Sequence, residues 1–200
     1  MARPLTNTES DGALYERPLA VEAQIDRAVR LSRSDLQARL LITDWNDPGY
    51  LCSESFVHLV REGRRAGDQQ LISAVLPVLL GRCEANLLVK VPDGGVPDAA
   101  SLRQEILENL TDLFVADGTG DFPDELDFYE CRFNKAFRAL RIDAVRRDAR
   151  RRKRSIAMVN LPPSEGAGEP GAYEDAFARV SESFRVLPTQ EWDVFREPFM

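Results

Sequence analysis

The sequence predicts an all-α fold: a helical bundle of about five helices with a long basic C-terminal helix, followed by a flexible linker and a short helical tail. Apolar residues recur three or four positions apart in several segments, as on one face of a helix. No segment of any length alternates apolar and polar residues as a half-buried strand would. Two hundred residues, 44% of them hydrophobic, suit one medium-sized domain with linkers or two small domains.

The first predicted elements are a polar terminus, a long helical segment and a turn. Residues 1–13 are polar and acidic, and we expect them to be disordered. From Arg17 to about Ile42 the apolar positions keep helical spacing among charges. Residues 46–49 read Asn-Asp-Pro-Gly, which is a turn sequence.

Capping residues mark the next two helices. Ser53 is a candidate N-cap, and Gly67 is a plausible C-terminal stop for the helix that follows it. Asp68 can cap the third helix, which runs to about Val89. Pro77 falls inside that helix, so we expect a kink or a break there.

Two loops frame the fourth helix and the start of the fifth. Residues 91–97 contain two prolines and two glycines and predict a loop. Asp98 or Ser101 starts the fourth helix. Residues 117–123 predict a second loop, and the fifth helix begins near Asp124 and runs into a basic stretch.

The chain therefore divides into a helical domain at 14–154, a linker at 155–172 and a short helical segment at 173–200. The linker is rich in Pro, Gly and Ser, a composition typical of flexible connections. Aromatic and apolar residues three or four apart follow it.

Catalytic and metal-binding motifs are missing from the sequence. Cys52, Cys83 and Cys131 are far apart and lack metal spacing, so we expect small buried hydrophobes in a reducing cytoplasm. His58 is the single histidine and is more typical of a partly buried structural residue than of a catalyst. We find no Gly-rich phosphate loop and no nucleophile elbow. The sequence thus favours a protein that is not an enzyme and has no cofactor or metal.

Targeting signals are also missing. The polar N-terminus lacks the features of a secretory signal peptide, and no run of eighteen apolar residues predicts a membrane span. We expect a cytoplasmic protein without a membrane partner.

The sign of the local charge reverses about two thirds of the way along the chain. Arg132 to Arg154 contain eleven Lys or Arg residues against two Asp, a local charge of +9, in a chain of net charge −7. Apolar residues at helical spacing anchor this helix to the core, namely Tyr129, Phe133, Phe137, Leu140 and Ala144. The opposite face carries cations that can follow a phosphate backbone. Alternatively, the run is a solvated helix end that complements the helix dipole, although residues 150–154 are five consecutive cations.

The preceding helix has an acidic polar side with no evident basic partners. It carries Gln104, Glu105, Glu108, Asn109 and Asp112. This side is either a solvated face or a protein-docking face.

Residues 101–154 resemble region 2 of bacterial RNA polymerase sigma factors, closest to the extracytoplasmic-function type. The helix Leu-Arg-Gln-Glu-Ile-Leu-Glu-Asn-Leu-Thr-Asp-Leu-Phe at 102–114 is similar to the family's Asp-Leu-x-Gln-Glu-x-Phe-x-x-Leu-Trp. The stretch at 133–147, with its Ile-Asp-x-x-Arg-Arg ending, is similar to the family's next helix. Residues 67–83 resemble the opening helix, so the resemblance covers about 67–154.

The resemblance implies two binding surfaces and two partners. The acidic helix would bind core RNA polymerase through Gln104, Glu105, Glu108, Asn109 and Asp112. The basic helix would contact promoter DNA through Lys135, Arg138, Arg141, Arg146, Arg147, Arg150 and Arg151. Tyr129 and Phe128 could stack on flipped bases, or they are core aromatics. An anti-sigma factor is a further candidate partner.

The chain departs from the family in two places. The family's Arg-Asn pair is Arg138-Ala139 here, which removes a residue used for base-specific contacts. Residues 173–200 resemble only the opening of the second sigma domain, before any recognition helix. The alternative function is therefore a polymerase- or protein-binding regulatory module that lacks promoter recognition.

Overall fold

A computed structural model describes residues 2–8, 12–118 and 124–159, with side chains as far as residue 155. Within these ranges the all-α prediction is confirmed, because the regular elements are helices and the only β-pairings are two isolated bridges. The helices are α1 (Leu19–Ala28), α2 (Arg33–Leu40), α3 (Ser53–Ala66), α4 (Gln69–Lys90), α5 (Ala99–Ala116) and α6 (Asp127–Val159). Residues up to Ile156 form one compact unit.

The segment predicted as one helix from Arg17 to Ile42 is two helices, α1 and α2. Ser32 has an extended backbone, and its hydroxyl accepts a hydrogen bond from the Asp35 amide at 3.1 Å. A capping serine satisfies amides at a helix start that have no helical partner. This local bond lets a second helix begin where the apolar periodicity alone predicts continuity.

The predicted caps are right at one junction and wrong at another. Gly67 ends α3 with a left-handed φ of 67°, a conformation that costs little without a Cβ. The Asp68 carboxylate then accepts from the Leu71 amide at 3.0 Å and caps α4. Ser53, by contrast, is the first residue of α3, and its predecessor Cys52 holds the cap position without a side-chain bond.

Of the kink or break predicted at Pro77, the break is absent, since α4 runs as one helix from Gln69 to Lys90. Val75 and Leu79, on either side of the proline, are both fully buried, and burial of both halves offsets the lost backbone hydrogen bond. By length and composition α4 could cross a membrane. That test considers length and composition alone; in the structure 22% of the tested window is buried, and α4 places Cys83 and Leu87 in the core.

The predicted disorder of the first residues is wrong for residues 2–8. The amides of Thr6 and Asn7 donate to the Asp127 carboxylate at 2.7 and 2.9 Å, and Leu5 is buried. Their polar composition predicts disorder. The carboxylate that anchors them lies at the start of α6, far along the chain, and the local sequence does not reveal it.

The core forms around α3, most of whose residues are buried. Helices α1 and α4 pack against α3, and α5 packs against α4. The predicted inner face of α6 is confirmed for Phe133, Phe137 and Ala144, which are buried in the same cluster. Leu140 is half-buried against it.

Helix α6 has an interruption at the first residue of its basic stretch. Arg132 has φ −147° and ψ 60°, outside the helical region. The freed Phe133 amide donates instead to the Glu54 carboxylate at the start of α3, at 3.0 Å. The helix then continues to Val159, into the predicted linker. The rest of the predicted linker and tail, and residues 119–123 of the second predicted loop, lie outside the described residues.

Candidate nucleic-acid and protein interface

Exposed cations recur along α6 and, at about 100° per residue, spread over roughly half of its circumference; together they are here called the outer basic face. Its members are Lys135, Arg138, Arg146, Arg147, Arg150, Lys153 and Arg154, all exposed. A helical rise of about 1.5 Å per residue spreads the face over roughly 28 Å. This length is close to one turn of duplex DNA, about 34 Å.

Arg146 and Arg150 of this face make only weak contacts with the described residues. The side chains of Arg146 and Asp143 approach only to 3.9 Å and are both well exposed. Arg150 Nε donates to a main-chain carbonyl one turn back, at 3.2 Å. Since solvent-exposed pairs at such separations contribute little, Arg146 and Arg150 keep their positive charge available to an external anion.

Arg141 does not belong to the outer basic face, which corrects its predicted role as a DNA contact. Its side chain is buried, and Nη1 donates to the Asn86 side-chain oxygen on α4 at 3.2 Å. Burial lowers the pKa of Arg141, and the nearby charge of Arg138 lowers it further. Sequence spacing alone does not distinguish Arg141 from the exposed cations of α6. The packing of α4 against α6 decides which of these side chains are buried.

Arg151 and Arg152 point back towards α5 rather than outwards. Arg151 Nη2 lies 2.5 Å from Glu105 Oε2, and this bond raises the pKa of Arg151. Arg152 pairs with Asp148 at 2.6 Å and also donates to the Pro97 carbonyl just before α5. The predicted DNA-binding residue Arg151 and the predicted polymerase-binding residue Glu105 therefore bind each other.

The predicted polymerase-binding residues split into exposed and inward groups. Gln104, Glu108 and Asp112 are exposed and lie on one side of α5 at successive four-residue intervals. We call these three residues the acidic stripe. Glu105 and Asn109 are half-buried instead, so the expectation that this side lacks basic partners fails at Glu105.

The two candidate stacking aromatics are packed within the protein. Tyr129 is buried, lies edge-on to Phe133 at 5.9 Å between ring centroids, and has a pKa raised by burial to about 12. Phe128 is half-buried, 5.5 Å from the Tyr15 ring. Tyr129 is thus a core aromatic, while Phe128 is half-buried, with Lys135 Nζ 5.9 Å from its ring centroid.

A buried ion cluster that sequence reasoning missed holds α6 against α3. The side chain of Arg61 is only 1% exposed and binds four carboxylates at 2.7–3.0 Å. These belong to Asp117, Asp124, Asp127 and Glu130. One guanidinium thus links the centre of the bundle to both ends of the α5–α6 connection.

Glu130 is the best-compensated carboxylate of this cluster. Its oxygens also bind Arg17 at 2.5 Å and His58 Nδ1 at 3.1 Å. Burial alone would raise the pKa of Glu130, but the His58 hydrogen bond and the Arg61 and Arg17 charges lower it to about 2. His58 is fully buried beside Glu130, rather than partly buried as its sequence context favours.

A sequence signal for the cluster existed in α3. Arg61 follows Val57 by four residues and Phe56 by five, which places a guanidinium on the apolar face of that helix. A charge at a core position requires buried partners. The sequence does not identify them, because they come from residues 56 to 69 positions later.

Comparison with known proteins gives no assignment: this chain matches no protein-family model, no curated protein and no solved structure.

Proposed function

We propose that this protein is a sigma-factor-like transcription initiation protein. It binds core RNA polymerase through the acidic stripe of α5 and promoter DNA through the outer basic face of α6. It works in the cytoplasm, performs no covalent chemistry, and is a candidate target of an anti-sigma factor.

The outer basic face carries this proposal. The residues outside Arg132–Arg154 sum to −16, so general coating of nucleic acid is disfavoured and a local contact is favoured. Seven exposed cations along a core-anchored helix suit repeated phosphate contacts. The acidic stripe lies on the neighbouring helix in chain order, as the resemblance to sigma region 2 implies.

A second candidate function is a regulatory module that docks on polymerase or another protein and does not recognise promoters. The alanine at position 139 favours it, because the resemblance places a base-contacting Asn there. Promoter-directed transcription separates the two functions, since only the first predicts transcripts that depend on this protein.

The first test is a pull-down of purified core RNA polymerase at low salt, where charge contacts are strongest. The informative variant is Glu108→Lys with Asp112→Lys, because both residues are exposed. Glu105 is left unchanged, since its replacement would also disturb Arg151. The control is Glu84→Lys, an exposed reversal on α4.

We expect wild type and the Glu84 variant to retain polymerase and the double variant to lose at least tenfold in affinity, about 1.4 kcal/mol. Equal retention by all three proteins would place polymerase elsewhere on the surface. No retention by wild type would remove polymerase as the partner.

A further inference from the structure

We propose that Glu105 withholds Arg151 from DNA while α5 is unoccupied, and that a partner engaging Glu105 releases Arg151 to the outer basic face. This rests on the proposed function, because it assigns a coupling between the two surfaces named there. It makes the protein a weaker DNA binder alone than on its partner.

The contacts at the C-terminal turns of α6 support this coupling. Arg151 Nη2 is 2.5 Å from Glu105 Oε2, whereas its distance to Asp148 is 3.7 Å. Asp148 is already bound to Arg152 at 2.6 Å, so Glu105 is the principal partner of Arg151. The side chains of Glu105 and Arg151 are 27% and 60% exposed, so an incoming protein or phosphate can reach the pair.

Glu105 and a DNA phosphate compete for the guanidinium of Arg151, so Glu105 weakens the binding of DNA. The Glu105 carboxylate occupies Nη2 of Arg151 and offsets its positive charge, so Arg151 attracts a DNA phosphate less strongly while the pair is intact. A partner that supplies cationic or hydrogen-bond donor groups to Glu105 removes this competitor. Because such coupling is reciprocal, DNA bound to Arg151 also frees Glu105 for the partner.

A direct test compares two isosteric variants, Glu105→Gln and Glu108→Gln. Each removes one negative charge from α5 within a single turn, but Glu108 is exposed and contacts Gln104 instead of a cation. DNA affinity is measured by fluorescence anisotropy on a labelled duplex of about two helical turns, over a range of salt concentrations. Circular dichroism at the same salts verifies that both variants stay folded.

We expect Glu105→Gln to bind the duplex about two- to fivefold more tightly than Glu108→Gln, the range that an exposed ion pair supports. The plot of log affinity against log salt should steepen by roughly 0.9, the contribution of one more phosphate contact. In an Arg151→Ala background the two glutamine variants should bind equally.

Three results overturn the proposal: equal affinities of the two variants, an advantage of Glu105→Gln that survives Arg151→Ala, or no binding by any variant at low salt. Binding by Glu105→Gln where wild type shows none supports it. The pull-down of polymerase is an independent measurement, so its failure removes the named partner without changing the outcome of the DNA titration.

Discussion

Replacing Arg61 with Met tests whether the buried ion cluster holds the bundle together. Methionine keeps an unbranched apolar side chain in the core but removes the guanidinium. Asp117, Asp127 and Glu130 would then keep their buried positions without their shared cation, and their side chains are at most 6% exposed.

The expected loss of unfolding free energy depends on which of these carboxylates have partners other than Arg61. Glu130 retains Arg17 and His58, and Asp127 retains the two main-chain amides of the N-terminal segment. Asp117 loses its ion-pair partner, and its Oδ1 is already buried without a hydrogen bond to any residue that the structure describes. Removing one member of a buried ion pair costs about 3–5 kcal/mol, so we expect a loss in that range.

Urea unfolding followed by far-UV circular dichroism measures this loss in the free energy of unfolding. The matched control is Arg65→Met on the same helix, where the pair with Glu62 is three residues apart and partly exposed. We expect the control to lose no more than about 0.5 kcal/mol. A loss below about 1 kcal/mol for Arg61→Met, comparable to a surface substitution, would refute the assignment of the cluster as a structural anchor.

Two further predictions concern pH and the division of the basic helix. Glu130 has a pKa of about 2 against an ordinary 4.5, so it stabilises the fold above pH 4.5 and this contribution, about 3 kcal/mol, disappears as pH falls towards 2. Urea midpoints should fall across that interval more steeply in wild type than in Glu130→Gln, and parallel curves would contradict the pairing. Arg141→Ala should lower unfolding stability by about 1–3 kcal/mol, whereas Arg146→Ala should leave stability within about 0.5 kcal/mol. In duplex titrations Arg146→Ala should reduce the salt slope by roughly 0.9, and an equal effect of both variants on DNA binding would show that Arg141 is accessible.

Local signals explain which boundaries were predictable. Gly67 and Asp68 act through their own backbone and the next few amides, so their roles could be predicted from neighbouring residues. Ser32 is also a local cap, but the strong apolar periodicity around it concealed the boundary. Pro77 shows the opposite case, since tertiary burial of α4 overrides a local helix-breaking preference.

The candidate site was predictable only in part. Lys135, Arg138 and Arg146 are exposed as expected, because the apolar positions of α6 indicate which side faces the core. Arg141 falls near the edge of that side, where packing against Asn86 decides its burial. When α5 is considered by itself, its acidic side has no basic partner. The pair between Glu105 and Arg151 of α6 forms only when the two helices pack together.

The sequence by itself determined the all-α class, the apolar face of α6 and the concentration of positive charge along it, because these depend on residue type and on a period of 3.6 residues. The tertiary structure decided which charges remain available. Arg61 is neutralised by distant carboxylates, Arg141 is covered by α4, and Arg151 is bound by Glu105. These outcomes depend on how helices pack, since ion pairs form between side chains that folding brings within about 4 Å of each other.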